Sequence, residues 1–379
     1  MSESSSLKQH LPVGLKYVGR AANPRRISAI YMWIIFIVCF GVLQPGLYLT
    51  VATVQLVFSQ GAVTGILALA FLIPLATDTY DLSVGEMMSL SIVLIAWFGH
   101  NHSMPPGIAA VVVVLICCLV GGVSGFVVVR LRVNSLIATL GMSQLLSGIQ
   151  LLIANNEPIA GNLSNTILNL GNGSLFGIPL LDFYLVAIAL AVWFVLEQTP
   201  LGRRMFAVGG NPEAARLAGI RTASIRWGSL MASGAVAGAA GVAYAWQVGS
   251  YTADTGQGYL FPALAAVFLG ASQLSQRPNV WGTLIAFFAL AFGIQGLSLE
   301  AGAGAFWVSP VFQGVALIAA VSIASLKGAV GRGDDGSAIR RLIGRGAVKR
   351  SPDLLVPQSG VLDGSSARGE EQGGDVIRG

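Results

Sequence analysis

Eight stretches of this chain carry no charged side chain at all: residues 27–77, 87–129, 133–156, 158–181, 227–253, 255–276, 278–299 and 301–326. A hydrocarbon core about 30 Å thick takes about 20 apolar residues per helical crossing. Within it every backbone N–H and C=O must find a partner in the protein. The runs are too long and too continuously apolar for the alternating strands, about ten residues each, of a membrane barrel. The chain therefore reads as all-α, a polytopic membrane helical bundle. Only 10% of its 379 residues are charged, against about 25% in a soluble domain. Its 48 glycines suit the close helix approach that lipid favours.

Cutting the runs where Gly, Pro, Asn or His cluster leaves ten candidate spans, near residues 27–43, 62–76, 85–98, 108–130, 135–154, 178–197, 225–246, 260–271, 281–297 and 307–326. Cytoplasmic loops collect Lys and Arg, which tests the count. With the N-terminus inside, Arg130 and Arg132, then Arg203, Arg204, Arg216, Arg221 and Arg226, then Arg277, then Lys327 onward all face the cytoplasm. An odd number of spans would split these groups between the two faces. The expected organisation is thus a basic cytoplasmic segment at 1–26, a membrane domain at 27–326 and a tail at 327–379, with both termini cytoplasmic. The tail is rich in Gly, Ser and Arg and poor in aromatics, the composition of a disordered segment. Its Arg340, Arg341, Arg345, Lys349 and Arg350 are suited to resting on anionic membrane lipid. The net charge of +5 follows from orientation in the membrane and not from nucleic-acid binding.

Several kinds of chemistry have no residues to carry them. Cys39, Cys117 and Cys118 lie inside apolar runs and read as small buried hydrophobes, with no metal-ligand spacing. His100 and His102 stand in a short turn before Pro105, without further ligands. There is no Gly-x-x-x-x-Gly-Lys-Ser/Thr loop to wrap a nucleotide's phosphates, and no catalytic cluster. Asp78, Asp81, Glu86, Glu157, Asp182, Asp254 and Glu300 all sit at the ends of runs, and Asp81 or Ser83 is expected to cap an interfacial helix start. An ion relay would want carboxylates at mid-membrane depth. A transporter built this way draws its driving force from another subunit. The chain is not expected to be an enzyme.

One polar loop, about residues 200–226, carries a design of its own. Asn211 is a helix N-cap, Pro212 fits the first helical position, Glu213 favours the positive end of the dipole, and Gly219 supplies a left-handed stop. Glu213 and Arg216 share a face. Two turns of helix are not stable alone in water, so either the bundle or a partner protein must hold them.

The stretch Gly202, Arg203, Arg204, Met205, Phe206, Ala207, Val208, Gly209, Gly210 and Asn211, followed by Ala214, Ala215, Arg216, Leu217, Ala218, Gly219 and Ile220, resembles the cytoplasmic loop of the permease subunits of ribose-type ABC importers. Asp81-Leu82-Ser83-Val84-Gly85 resembles that family's Asp-Leu-Ser-Val-Gly motif, and residues 134–142, with Thr139, Gly141 and Met142, resemble its Phe-Ile-x-Thr-Leu-Gly-Met motif. The resemblance implies a bacterial-type cell-membrane assembly of two permease copies, identical or not, with two ABC ATP-binding subunits and an extracytoplasmic solute-binding protein. Gly210, Asn211, Pro212, Glu213, Ala214, Ala215, Arg216, Leu217 and Gly219 would then be the ATPase-coupling element. Asp81, Leu82, Ser83, Gly85, Thr139 and Gly141 would belong to a gate. ATP and Mg would be held by the partner ATPases, and this chain would need no cofactor.

The chain departs from the family where Asp78-Thr79-Tyr80 replaces Gly-Gly before the first motif, and where residues 271–280 replace a glycine-rich turn. Residues 67–95 and 263–290 are weakly alike as span, polar turn, span, a pattern that internal duplication leaves. Small residues at helical spacing, Gly121 to Gly125 and Ser233 to Gly241, suit helix packing. Uncharged hydrogen-bonding groups in the spans, above all Gln144, Gln150, Gln295 and Gln313, are the candidates for a polar solute's path. The reading is an import permease for a monosaccharide or related small polar solute. The alternative is a self-sufficient facilitator or secondary transporter, which would work without an ATPase.

Overall fold

The computed structural model describes residues 28–102, 104–160, 165–271 and 277–331. The basic segment at 1–26, residues 272–276 of the substituted turn and the tail from residue 332 lie outside the described residues. The chain divides into two units, residues 1–329 and residues 330–379, and the helices below belong to the first, with α13 ending just past its boundary.

Each expected segment falls on a helix. In chain order these are α1 (Ser28–Leu43), α2 (Val51–Leu75), α3 (Val84–His102), α4 (Pro106–Arg130) and α5 (Ser135–Ala154). Next come β1 (Ile159–Ala160), α6 (Asn165–Asn172), β2 (Ser174–Leu175), β3 (Ile178–Pro179) and α7 (Leu180–Trp193), which runs into a π-helical turn (Phe194–Gln198). The polar loop folds as α8 (Pro200–Gly210) and α9 (Pro212–Leu217). Then follow α10 (Thr222–Val248), β4 (Ser250–Tyr251), α11 (Gln257–Ala271), α12 (Val280–Ala301) and, after a 3-10 turn (Gly302–Trp307), α13 (Val308–Gly331). The short strands pair antiparallel, β1 with β4 and β2 with β3.

Local chemistry sets the boundaries. Thr50 caps α2, accepting from Thr53 N–H at 3.2 Å, and Asn134 caps α5, accepting from Leu136 N–H at 2.9 Å. Asn279 caps α12, accepting from Gly282 N–H at 2.6 Å. Pro106 takes the first position of α4, where its missing N–H costs nothing.

Among the described residues, six helical segments are long and apolar enough to cross a membrane: α2, α4, α5, α7 with its π turn, α10 and α12. Helices α1, α11 and α13 are apolar over shorter lengths. Helix α3 carries Glu86, Ser89 and Ser91, and all three are buried. It is thus a protein-facing helix, where polar groups find protein partners.

Helix α10 packs against α4, α2 and α3, and α2 packs in turn against α11, α7 and α12. The α10–α4 seam is made by the small residues expected to make it. A Cβ on Gly121 would stand 2.3 Å from the Leu230 carbonyl oxygen, and one on Gly234 would stand 2.4 Å from that of Cys117. Gly241 plays the same part toward α3, facing the Met88 carbonyl at 2.5 Å. The two backbones approach so closely that only hydrogen fits.

Candidate functional site

The segment joining α2 to α3, residues 76–83, holds the first motif. It begins where Pro74 interrupts the helical ladder: the Pro74 carbonyl accepts from Thr77 N–H at 2.9 Å and from Thr79 N–H at 3.1 Å. Thr77, Thr79, Asp81 and Ser83 are all buried. Asp81 Oδ1 accepts from Ser83 N–H at 3.1 Å and from Ser83 Oγ–H at 2.5 Å. Burial raises the Asp81 carboxyl above its ordinary range, against the lowering effect of the Ser83 and Ser233 hydroxyls. The helix start expected at Asp81 and Ser83 falls at Val84, and both residues are buried within the protein. The motif is packed among α2, α5 and α10, because its backbone donors are met by side chains from other helices.

Those side chains come from the second motif. Tyr80 N–H donates to Ser135 Oγ at 3.2 Å, and Leu82 N–H donates to Thr139 Oγ1 at 3.1 Å. Thr139 Oγ1 in turn donates to the Ser135 carbonyl at 2.8 Å. Thr77 Oγ1 lies 3.4 Å from Ser229 Oγ of α10. Gly85 serves a different contact. A Cβ on Gly256, just before α11, would stand 2.0 Å from the Gly85 carbonyl oxygen, which excludes a side chain there, and one on Gly85 would sit tightly at 3.0 Å from the Gly256 carbonyl oxygen. Gly141 does not join the cluster; it is exposed and nothing lies within 4 Å of where its Cβ would be.

The polar loop contains two helices where the sequence suggested one. Thr199 caps α8, accepting from Gly202 N–H at 3.3 Å, with Pro200 at the first position. Thr-Pro before an amphipathic stretch is the local sequence signal for this helix. Asn211 Oδ1 caps α9 as expected, accepting from Glu213 N–H at 3.1 Å and Ala214 N–H at 3.0 Å. At the other end Ile220 N–H donates to the Ala215 carbonyl and Gly219 N–H to the Arg216 carbonyl, both at 3.0 Å. With Gly219 at φ +79°, this is a Schellman stop.

Helix α9 is held from one side only. Ala215 is buried, whereas Leu217 is 81% exposed. Glu213 and Arg216 form an exposed ion pair at 2.6 Å. Helix α8 buries Gly202, Met205 and Val208. Its Gly209 lies directly on the motif segment, where a Cβ would stand 2.5 Å from the Ala76 carbonyl oxygen and 3.2 Å from Asp78 N. The Arg277 guanidinium lies 4.6 Å from the Phe206 ring of α8 and pairs with Glu197 of the π turn at 2.8 Å. The chain α9, α8, residues 76–83 and α5 is thus one continuous run of contacts.

The four candidate pathway glutamines part company. Gln144 is exposed on α5. Gln150 is buried and donates through Nε2 to Glu86 Oε2, while its Oε1 accepts from Tyr251 OH at 3.3 Å. Gln295 and Gln313 line one cavity of about 270 Å³ among α2, α11, α12 and α13, together with Gln60 and Thr64. The buried Glu86–Gln150–Tyr251 network was not foreseen, because its members come from three separate segments.

Comparison with known proteins bears on this arrangement. Residues 53–321 match the family model described as "Branched-chain amino acid transport system / permease component". A fructose import permease protein of Rhizobium meliloti is 30% identical over 287 residues, covering 74% of this chain and 79% of that protein. A ribose import permease protein of Escherichia coli K12 is 31% identical over 291 residues, covering 76% of this chain and 89% of its own length. An autoinducer 2 import system permease protein of Escherichia coli O9:H4 is 31% identical over 253 residues, covering 66% and 73%. No solved structure matches the chain. With this coverage, and with motifs that the fold brings into contact, the chain belongs to the family of branched-chain amino acid transport system permease components, and is a multi-pass protein of the inner membrane.

Proposed function

We propose that this chain is the membrane-spanning permease of an ATP-driven importer for a monosaccharide or a related small polar solute, with ribose and fructose as first candidates. It catalyses no reaction itself. Solute arrives from an extracytoplasmic binding protein, two permease copies form the pathway, and ATP with Mg is held by separate ATPase subunits.

The observation that carries this reading is α9. It is capped at both ends by its own residues, it presents Glu213, Arg216 and Leu217 outward, and it is continuous with α8, whose Gly209 bears on residues 76–83. An ATPase seated on α9 pushes on a short, stiff lever. The lever's inner end touches the segment that Ser135 and Thr139 hold against α5. Asp81, Leu82, Ser83, Gly85 and Thr139 form the responding element in this scheme, with Gly141 facing away from it.

Ten crossings with both termini cytoplasmic fit the same scheme. Helix α3 is too polar to face lipid but is buried over most of its length, and α1, α11 and α13 complete the set. Basic loops collect at one end of the bundle: Arg132 and Arg226 line one cavity with Asp78, and Arg277 reaches α8. Cytoplasmic placement of that end follows the positive-inside rule. Residues 1–26 and 327–379 then flank a membrane domain at 27–326.

Co-purification tests the docking step. The wild-type chain is expected to co-elute with its ATP-binding subunits, and Leu217→Asp to lose them while remaining monodisperse, since Leu217 touches little of its own fold. Equal binding by the two proteins would remove α9 from the interface.

A further inference from the structure

The cavity among α2, α11, α12 and α13 has the chemistry of a binding site. Its polar lining comes from Gln60 and Thr64 of α2, Tyr259 of α11, Gln295 of α12, and Ser309 and Gln313 of α13. Gln313 Nε2 donates to Ser309 Oγ at 2.7 Å, which leaves its amide oxygen facing other partners. Gln60 is exposed at the edge of the cavity, and Gln295 is half-buried in its wall. A half-buried amide in an apolar helix, such as that of Gln295, is costly when unpaired. Amides and hydroxyls converging on one space from four helices therefore ask for a ligand rich in hydroxyls.

Size and walls agree with that chemistry. About 270 Å³ is room for about nine waters at about 30 Å³ each, the scale of a single small sugar. The rings of Phe287 and Phe312 supply apolar walls, as small-molecule sites commonly do around a few placed polar groups. Gly258 opens the space further, since nothing lies within 4 Å of where its Cβ would be.

Among the described residues no charged side chain lines the cavity. An amino acid brings both an ammonium and a carboxylate, and each would be left there without an opposite charge, which burial penalises heavily. A neutral polyhydroxylated solute meets no such penalty. The position is informative as well. Gln60 stands about 22 Å along the α2 axis from Leu75, at a rise of about 1.5 Å per residue, and Leu75 adjoins the segment that α8 touches. The cavity thus lies away from the coupling end of the bundle, where solute released by a binding protein would enter.

We propose that this cavity within a single permease subunit is a site for a neutral polyhydroxylated solute, oriented by the amides of Gln60, Gln295 and Gln313. The inference rests on the importer reading above and assigns its solute a first station inside one copy.

Equilibrium binding to the purified full chain in detergent tests it, with D-ribose and D-fructose as probes and L-leucine as the charged competitor. Saturable sugar binding that leucine does not displace is the expected result. Gln295→Leu and Gln313→Leu are each expected to weaken it about tenfold, the equivalent of about 1.4 kcal/mol. Ala291→Phe, which fills the space from its wall, is expected to abolish it. Monodispersity and retained association with the ATPase subunits establish that each variant is folded. A wild type that binds neither sugar, binding that all three variants leave unchanged, or equal displacement by leucine overturns the proposal. Failure of the importer reading is seen separately, as a wild type with no ATPase association whatever its sugar binding.

Discussion

Thr139 binds two distant parts of the chain through one hydroxyl. Its Oγ1 accepts from Leu82 N–H and donates to the Ser135 carbonyl, so a buried backbone donor of the motif segment depends on it. Thr139→Ala leaves that donor unmet at a cost of about 1–3 kcal/mol, and Thr139→Ser restores the acceptor. The expected outcome is a lowered unfolding temperature and reduced solute-stimulated ATPase activity for Ala, with both recovered by Ser. Such pairings could not be read in advance. The two motifs were visible as strings of residue types, but what Asp81, Leu82 and Thr139 touch depends on how segments more than fifty residues apart come together. Gln144 and Gln150 make the same point: similar residues on one helix, one exposed and one bound to Glu86.

Helices α8 and α9 show what local chemistry does specify. The Asn211 cap, Pro212 and the Gly219 stop act within a few residues, so sequence alone located α9. Helix α8 was missed because its inward face, Met205 and Val208, is defined by what it packs on; Thr199-Pro200 was its only local signal. The α10–α4 seam was legible for the opposite reason, since glycines at helical spacing have few other uses in a lipid-embedded bundle. Gly219 at φ +79° makes a sharp test of this element. A side chain there costs about 1–2 kcal/mol in left-handed backbone, and Asn211→Ala about 1 kcal/mol. Gly219→Val with Asn211→Ala should fray α9 and lower ATPase association several-fold, while the unfolding temperature of the bundle stays near that of the wild type. A collapse of the whole bundle would mean that α9 is a structural brace and not an appended docking element.

At the scale of the whole molecule, the absence of charge from long runs specified a membrane bundle and the places where helices fall. It did not specify which helices face protein. Helix α3 carries a carboxylate and two serines and is still among the most deeply buried, because Glu86, Ser89 and Ser91 are satisfied by Gln150, the Gly256 N–H and the Gly238 carbonyl. A bundle so built has the α8–α9 pair at one end and a cavity lined by uncharged residues toward the other. In the proposed importer a second protein supplies the energy. Uptake of a radiolabelled sugar into proteoliposomes measures this most directly, with the chain reconstituted alone or with its ATP-binding subunits, and with the binding protein supplied in both cases. Accumulation above the external concentration only when the ATPase subunits and ATP are present is the predicted result. Equilibration of sugar by the chain alone, unaffected by ATP, would contradict it and identify a self-sufficient facilitator.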